Sequence, residues 1–163
     1  MDPQKCGIAI ASNDKNKCVE NLINEIAQKF KNINIVTNNI IYFKKLEEEY
    51  LEEKGIAIAV TNNKRKSFLK TKIILNLDFP EEQLNKYTIN DEGIIISIEE
   101  KIKIHKKRFN GKIIDDYNIE FKPDTKIFEE VNKPKYKKFD LKDIAECYIQ
   151  NNPEQIKNII ICK

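Results

Sequence analysis

Polar side chains gather where short apolar runs end. Ser12, Asn13 and Asp14 follow CGIAIA, and Asn38 and Asn39 follow INIVT. Thr61, Asn62 and Asn63 close IAIAVT, and Asn76 and Asp78 sit at the end of KIILNL. In an open α/β sheet, ligands bind outside the carboxyl ends of the strands. Hydroxyl and amide groups there, beside a helix starting near Asn16, suit a ribose or a phosphate. Ser12, Asn13, Asp14, Asn38, Asn39, Thr61, Asn62 and Asn76 are therefore the candidate cofactor-binding residues. Asn, Ser and Asp are also what turns and caps use, so a structural role competes with a ligand site.

A second group is basic. Lys101, Lys103, Lys106, Lys107, Arg108 and Lys112 surround an Asn110-Gly111 pair with no acid among them, and Lys133, Lys135, Lys137 and Lys138 follow. Lysines along a hairpin can track a phosphate backbone, and Phe109 and Tyr136 could stack on bases. The competing reading is an edge strand guarded by lysine. His105 alternates with Ile102 and Ile104, so it faces out with the lysines. As a general base it lacks a nucleophile or an orienting acid nearby in sequence. Tyr50 and Lys54 have the Tyr-x-x-x-Lys spacing of short-chain dehydrogenases but follow the second strand, so Tyr50 is expected in the core. The glutamates Glu47–Glu49, Glu52 and Glu53 form a solvated face paired by Lys44 and Lys45. Asp78 is not expected to accept a phosphoryl group, because no paired acids follow the first strand. No catalytic residue is assigned.

The elements that carry these groups are read from periodicity. Cys6–Ala11, Ile33–Thr37, Ile56–Thr61, Lys72–Leu77 and Gly93–Ile98 are short and apolar on both faces, as strands of a helix-covered parallel sheet are. Between them, Val19, Leu22, Ile23, Ile26, Ala27 and Phe30 recur at helical spacing over Lys17–Phe30, with Asn13 or Asp14 as cap. Phe43, Leu46, Tyr50 and Leu51 mark a helix over Ile41–Lys54, ended by Gly55. Phe68 and Leu69 predict one short helix, and Pro80 opens another around Leu84. Asn110-Gly111 predicts a type I′ hairpin between Lys101–Phe109 and Lys112–Phe121. A polar loop follows from Pro123 to Lys138, then a helix over Asp140–Gln150 and a last strand over Ile156–Cys162. Alternating β and α elements imply a Rossmann-like three-layer sandwich. Its mostly parallel sheet of five to six strands has the order 3-2-1-4-5, extended by a C-terminal β-hairpin and helix. One domain is expected for 163 residues, with the core in residues 5–98 and an extension in residues 99–163.

The pieces VTNN (Val36–Asn39), KKLEEEYLEEKGIAIAVTNN (Lys44–Asn63) and IILNLDFP (Ile73–Pro80) resemble the nucleotide-binding domain of shikimate dehydrogenases and glutamyl-tRNA reductases. The resemblance spans about residues 5–98 and implies NAD or NADP as cofactor. It departs from the family at the glycine-rich loop after the first strand, which reads ASNDKNK here. That loop needs glycine so that backbone can approach a pyrophosphate. The second strand ends in Thr37, Asn38 and Asn39 rather than in an acid for a ribose or an arginine for a 2′-phosphate. The family's substrate domain has no counterpart, so the chain is expected to be part of a larger protein.

Composition narrows the classes further. Hydrophobic residues are 40% and charged residues 34%, as in a globular chain. No apolar run approaches the ~20 residues of a membrane span, and MDPQKCGIAIASNDKNK lacks a signal-peptide pattern. Cys6, Cys18, Cys147 and Cys162 form no C-x-x-C pair, so structural thiols in a reducing cytoplasm are expected, without a metal. Residues 1–100 carry 14 Lys and Arg against 16 Asp and Glu; residues 101–163 carry 15 against 10. The expected function is that of a degenerate Rossmann-like domain, non-catalytic or accessory, with weak nucleotide binding at most and a protein partner or second copy. The alternatives are an NAD(P)-linked oxidoreductase fragment and a nucleic-acid-binding module using residues 101–112.

Overall fold

A computed structural model of the chain describes residues 6–14, 17–98, 101–105, 109–122, 154 and 156–161. The chain divides into two compact units, Met1–Asp115 and Asp116–Lys163.

The first unit alternates strands and helices: β1 (Gly7–Ala11), α1 (Lys17–Ala27), β2 (Asn32–Val36), α2 (Ile40–Lys54), β3 (Ile58–Thr61), α3 (Lys64–Lys70), β4 (Ile73–Asn76), α4 (Glu81–Asn85), β5 (Ile94–Ser97) and β6 (Lys112–Ile114). The strands form one sheet in the order β3-β2-β1-β4-β5-β6, parallel throughout. The expected order 3-2-1-4-5 is observed, with a sixth strand added. Ile10 pairs with Ile35 on one side and Leu75 on the other, which aligns the carboxyl ends of β1, β2 and β4.

Strand alternation sends successive side chains to opposite layers. Ile8 and Ile10 of β1, Ile33 and Ile35 of β2 and Leu75 of β4 join Val19 and Ile23 of α1 and Phe43, Leu46 and Tyr50 of α2. Ala9, Ala11, Val36, Ile74 and Ile95 join Phe68 of α3, Phe79 in the turn before α4, Leu84 of α4, and Ile89 and Ile102. The small Ala9 and Ala11 leave room on this second face for Phe68, whose ring meets Phe79 and Tyr87 edge-on at 6.3 and 6.1 Å. Burying each large apolar side chain of these layers contributes about 1.5–3 kcal/mol. Leu51, expected in the α2 stripe, is exposed. The stripe runs through Phe43, Leu46 and Tyr50, and Leu51 falls one step past its edge. Gly55 ends α2 in the left-handed conformation at φ 64°, as its position predicts.

Residues 101–112 depart from the expected hairpin. Lys112–Ile114 is not paired with the residues before it but runs parallel to β5 as β6. Among the described residues only Gly55 has positive φ, so Asn110-Gly111 does not form a type I′ turn. Gly111 is needed for a different reason. A Cβ there would lie 2.0 Å from the Gly93 carbonyl oxygen and 2.6 Å from the Phe109 ring. Lys101–His105 belongs to no strand or helix. It is held to α4 by side chains: Lys103 N donates to Glu81 Oε2 at 2.8 Å, His105 N donates to Asn85 Oδ1 at 2.9 Å, and Asn85 Nδ2 donates to Lys103 O at 2.7 Å.

The second unit contains an antiparallel pair, β7 (Tyr117–Phe121) with β8 (Ile156–Ile161), irregular at Glu120 and Phe121. The last strand thus pairs with β7 and not with the parallel sheet. The expected loop over 123–138 and helix over 140–150 lie outside the described residues. So do Lys106, Lys107, Arg108, Lys133, Lys135, Tyr136, Lys137 and Lys138.

Candidate functional site

The carboxyl edge of the sheet collects the polar residues that the sequence singles out. Asp78 lies at its centre. Its carboxylate reaches back to the turn after β1 and accepts from Asn13 N at 2.8 Å to each oxygen and from Asp14 N at 2.8 Å. The buried Ser12 Oγ lies 3.1 Å from Asp78 Oδ2 and 2.9 Å from the Asp14 carbonyl. Successive backbone N–H groups aimed at one point form an anion-binding nest. In a dinucleotide-binding domain the turn after the first strand holds a pyrophosphate; here it holds the chain's own carboxylate.

The neighbouring candidates are also engaged within the fold. Asn13 Oδ1 accepts from Asn38 N at 2.9 Å, and Asn13 O accepts from Asn39 Nδ2 at 2.9 Å, which joins the turns after β1 and β2. Thr37 Oγ1 and Thr61 Oγ1 accept from Asn39 N and Asn63 N two residues on, at 2.9 and 3.0 Å. Asn62 is exposed, and its carbonyl accepts from Lys64 N at 2.9 Å. Asn76 is buried. It accepts from Phe79 N at 3.0 Å and donates to Phe79 O at 3.0 Å and Ser97 Oγ at 3.1 Å, fixing the turn that delivers Asp78. The structure therefore brings Ser12, Asn13, Asp14, Asn38 and Asn39 together around one turn. Thr61 and Asn62 bond within the turn from β3 to α3, and Asn76 joins the turn after β4 to Ser97 of β5.

Three features escape a reading of local sequence. Lys64 opens α3 yet is 6% exposed, its Nζ 3.5 Å from the Thr37 carbonyl and 3.4 Å from that of Asn62. Burial holds its ammonium below the ordinary lysine range. His105 finds an acid 24 residues upstream, its Nε2 3.1 Å from Glu81 Oε1. The Glu81 carboxyl lies below its usual range because the Lys103 backbone N–H, and then His105, bond to it. The third feature is the charge of α3. Lys64, Arg65 and Lys66 fill its first turn with no acid present. A helix N-terminus favours acids, and a misplaced exposed charge costs about 0.3–1 kcal/mol. By contrast α4 begins with Glu81 and Glu82.

Tyr50 and Lys54 are structural. The Tyr50 hydroxyl donates to Asn24 Oδ1 at 2.5 Å, Lys54 Nζ bonds the same oxygen, and that ammonium stands 4.0 Å over the Tyr50 ring. Burial, then the charge of Glu20, pushes the Tyr50 hydroxyl up, opposite to what a catalytic acid would need. Among the described residues no three His, Cys, Asp or Glu side chains converge as metal ligands, and no helix is long and apolar enough to cross a membrane.

No family model, curated protein or solved structure matches the chain. The likeness to shikimate dehydrogenases and glutamyl-tRNA reductases rests on sequence pattern alone.

Proposed function

We propose that this chain is a degenerate Rossmann-like domain that works without catalysis, as an accessory or interaction module. Its sheet edge is used to hold strand ends together rather than to hold a dinucleotide. The observation that carries this reading is the Asp78 carboxylate seated on the N–H groups of Asn13 and Asp14. A pyrophosphate entering that turn would have to displace a fixed anion and would meet its charge at hydrogen-bond range. Close approach would also need glycine in Ser12–Asp14, which has none.

A thermal-shift titration with NAD⁺, NADP⁺, NADH, NADPH, ATP and S-adenosylmethionine tests the reading. A ligand at 100 times its dissociation constant stabilises by about 2.7 kcal/mol, which moves the midpoint by several degrees at this chain length. No saturable shift is expected with any of the six. A shift with one of them would favour the NAD(P)-linked oxidoreductase or another nucleotide-dependent activity, and would refute the closed edge.

A further inference from the structure

We propose that the exposed face of α3 is a docking surface for the phosphate backbone of double-stranded nucleic acid. No acid occurs between Glu53 and Asp78, and this stretch carries Lys64, Arg65, Lys66, Lys70 and Lys72 in and beside α3. Arg65, Lys66, Lys70 and Lys72 are exposed, and none of the four pairs with a carboxylate among the described residues. Elsewhere the same chain pairs its cations, Lys44 with Glu47 at 2.7 Å and Lys45 with Glu49 at 3.4 Å.

The arrangement works against the helix that bears it. Lys66 and Lys70 are a like-charged i, i+4 pair, which repel. Arg65 and Lys66 stand at the positive end of the helix. Asn63 caps that end through Lys66 N at 3.1 Å, so the helix forms despite its charges. A local choice that opposes the fold and has no internal partner is where a function is expected.

The chemistry of the face selects the partner. Protein interfaces are depleted in lysine, and three of these four cations are lysine. Amphipathic membrane binding needs an apolar face, and α3 exposes only Leu69, at 47%. No aromatic residue lies among Lys64–Lys70 except the fully buried Phe68, so stacking on single-stranded bases is not offered. What remains is neutralisation of phosphates, which is sequence-independent and salt-sensitive. This site differs from residues 101–112, and it stands whether or not the carboxyl edge is closed.

Fluorescence anisotropy of the full chain with labelled duplex DNA and duplex RNA across a salt series tests the proposal. Four phosphate contacts predict that log K falls against log salt with a slope of about −3 to −4. The variant Arg65→Glu/Lys66→Glu/Lys70→Glu is expected to weaken binding more than tenfold without lowering Tm. The neutral variant Arg65→Gln/Lys66→Gln/Lys70→Gln gives the same reading if the reversal disturbs folding. Lys103→Glu is expected to leave affinity unchanged. The proposal is overturned by absence of duplex binding at low salt, by α3 variants that bind like the native chain, or by stronger binding to polyglutamate or anionic vesicles than to duplex.

Discussion

The carboxyl edge of the sheet and helix α3 are both rich in polar groups, but they use them in opposite ways. At the edge, Asp78 satisfies two backbone N–H groups of the turn after β1, Asn13 ties that turn to the next, and Asn76 braces the turn that carries Asp78. The bonds of Asp78 and Asn13 span 25 to 65 residues of chain and help to lock β1, β2 and β4 in register. On α3, by contrast, Arg65 and Lys66 stand at the end of the helix that disfavours cations, and none of Arg65, Lys66 and Lys70 pairs with a carboxylate among the described residues. At the edge, the amides and hydroxyls already have internal partners; on α3, the exposed cations have no carboxylate partner among the described residues.

The contrast can be broken or sharpened by substitution. The largest effect is expected for Asp78→Ala, which leaves the N–H groups of Asn13 and Asp14 without their anion. Bonds to a charged group contribute about 1.5–3 kcal/mol each in favourable cases, so a loss of about 2–3 kcal/mol is expected. At this size that lowers Tm by roughly 5–10 °C, readable by calorimetry. A loss too small to measure would mean that the edge does not hold the strands together.

Lys64→Met should have a smaller effect of opposite sign. Replacing a buried ammonium whose neighbours are two carbonyls at 3.4 and 3.5 Å removes a desolvation cost, and a gain on the order of 1 kcal/mol is expected in urea unfolding. A loss of more than that would show that the ammonium braces Thr37 and Asn62. Lys66→Glu is smaller again. It places an acid in the first turn of α3 and removes the repulsion from Lys70, so a gain of about 0.5 kcal/mol is expected. A destabilised variant would mean that α3 is not electrostatically strained.

The smallest effect is local. Because bonds from Lys103 and His105 lower the Glu81 pKa, that carboxylate stabilises the fold above its ordinary range, and the contribution fades as pH falls through the lower folded value. The attachment of residues 101–105 to α4 should loosen only as pH falls below the ordinary carboxyl value of 4.5. Chemical shifts of the Lys103 and His105 amides would follow it, and Glu81→Gln should remove the transition. A transition that persists in Glu81→Gln would assign it to another group.

The strands β1 to β5 were legible because each is short, apolar on both faces and bounded by turn residues. Right-handed crossovers limit such strands to few orders, and 3-2-1-4-5 is the one observed, extended by β6. β6 was not legible, because Asn110-Gly111 carries a strong local hairpin signal that a distant constraint overrides. Gly111 is where it is so that β6 can pass the Gly93 carbonyl, and no local pattern records that approach. The edge residues were found by their position after strands, but their role was hidden. Asp78 meets Asn13 across 65 residues, and only the strand order brings them together. Lys64 carries no local sign of burial; it lies one turn before the buried Phe68 and so shares the face of α3 that turns inward. The charges of α3 are present in NNKRKSFLK, but that they sit at the wrong end of a helix follows only from its start at Lys64.

An amide NMR titration of the native chain with NADH and with inorganic phosphate reads the state of the edge itself. The Asn13 and Asp14 resonances are expected to stay in place at millimolar ligand, because Asp78 already occupies their N–H groups. Saturable movement of those two amides, together with that of Ser12, would show that an external anion takes the Asp78 position and would contradict the closed edge.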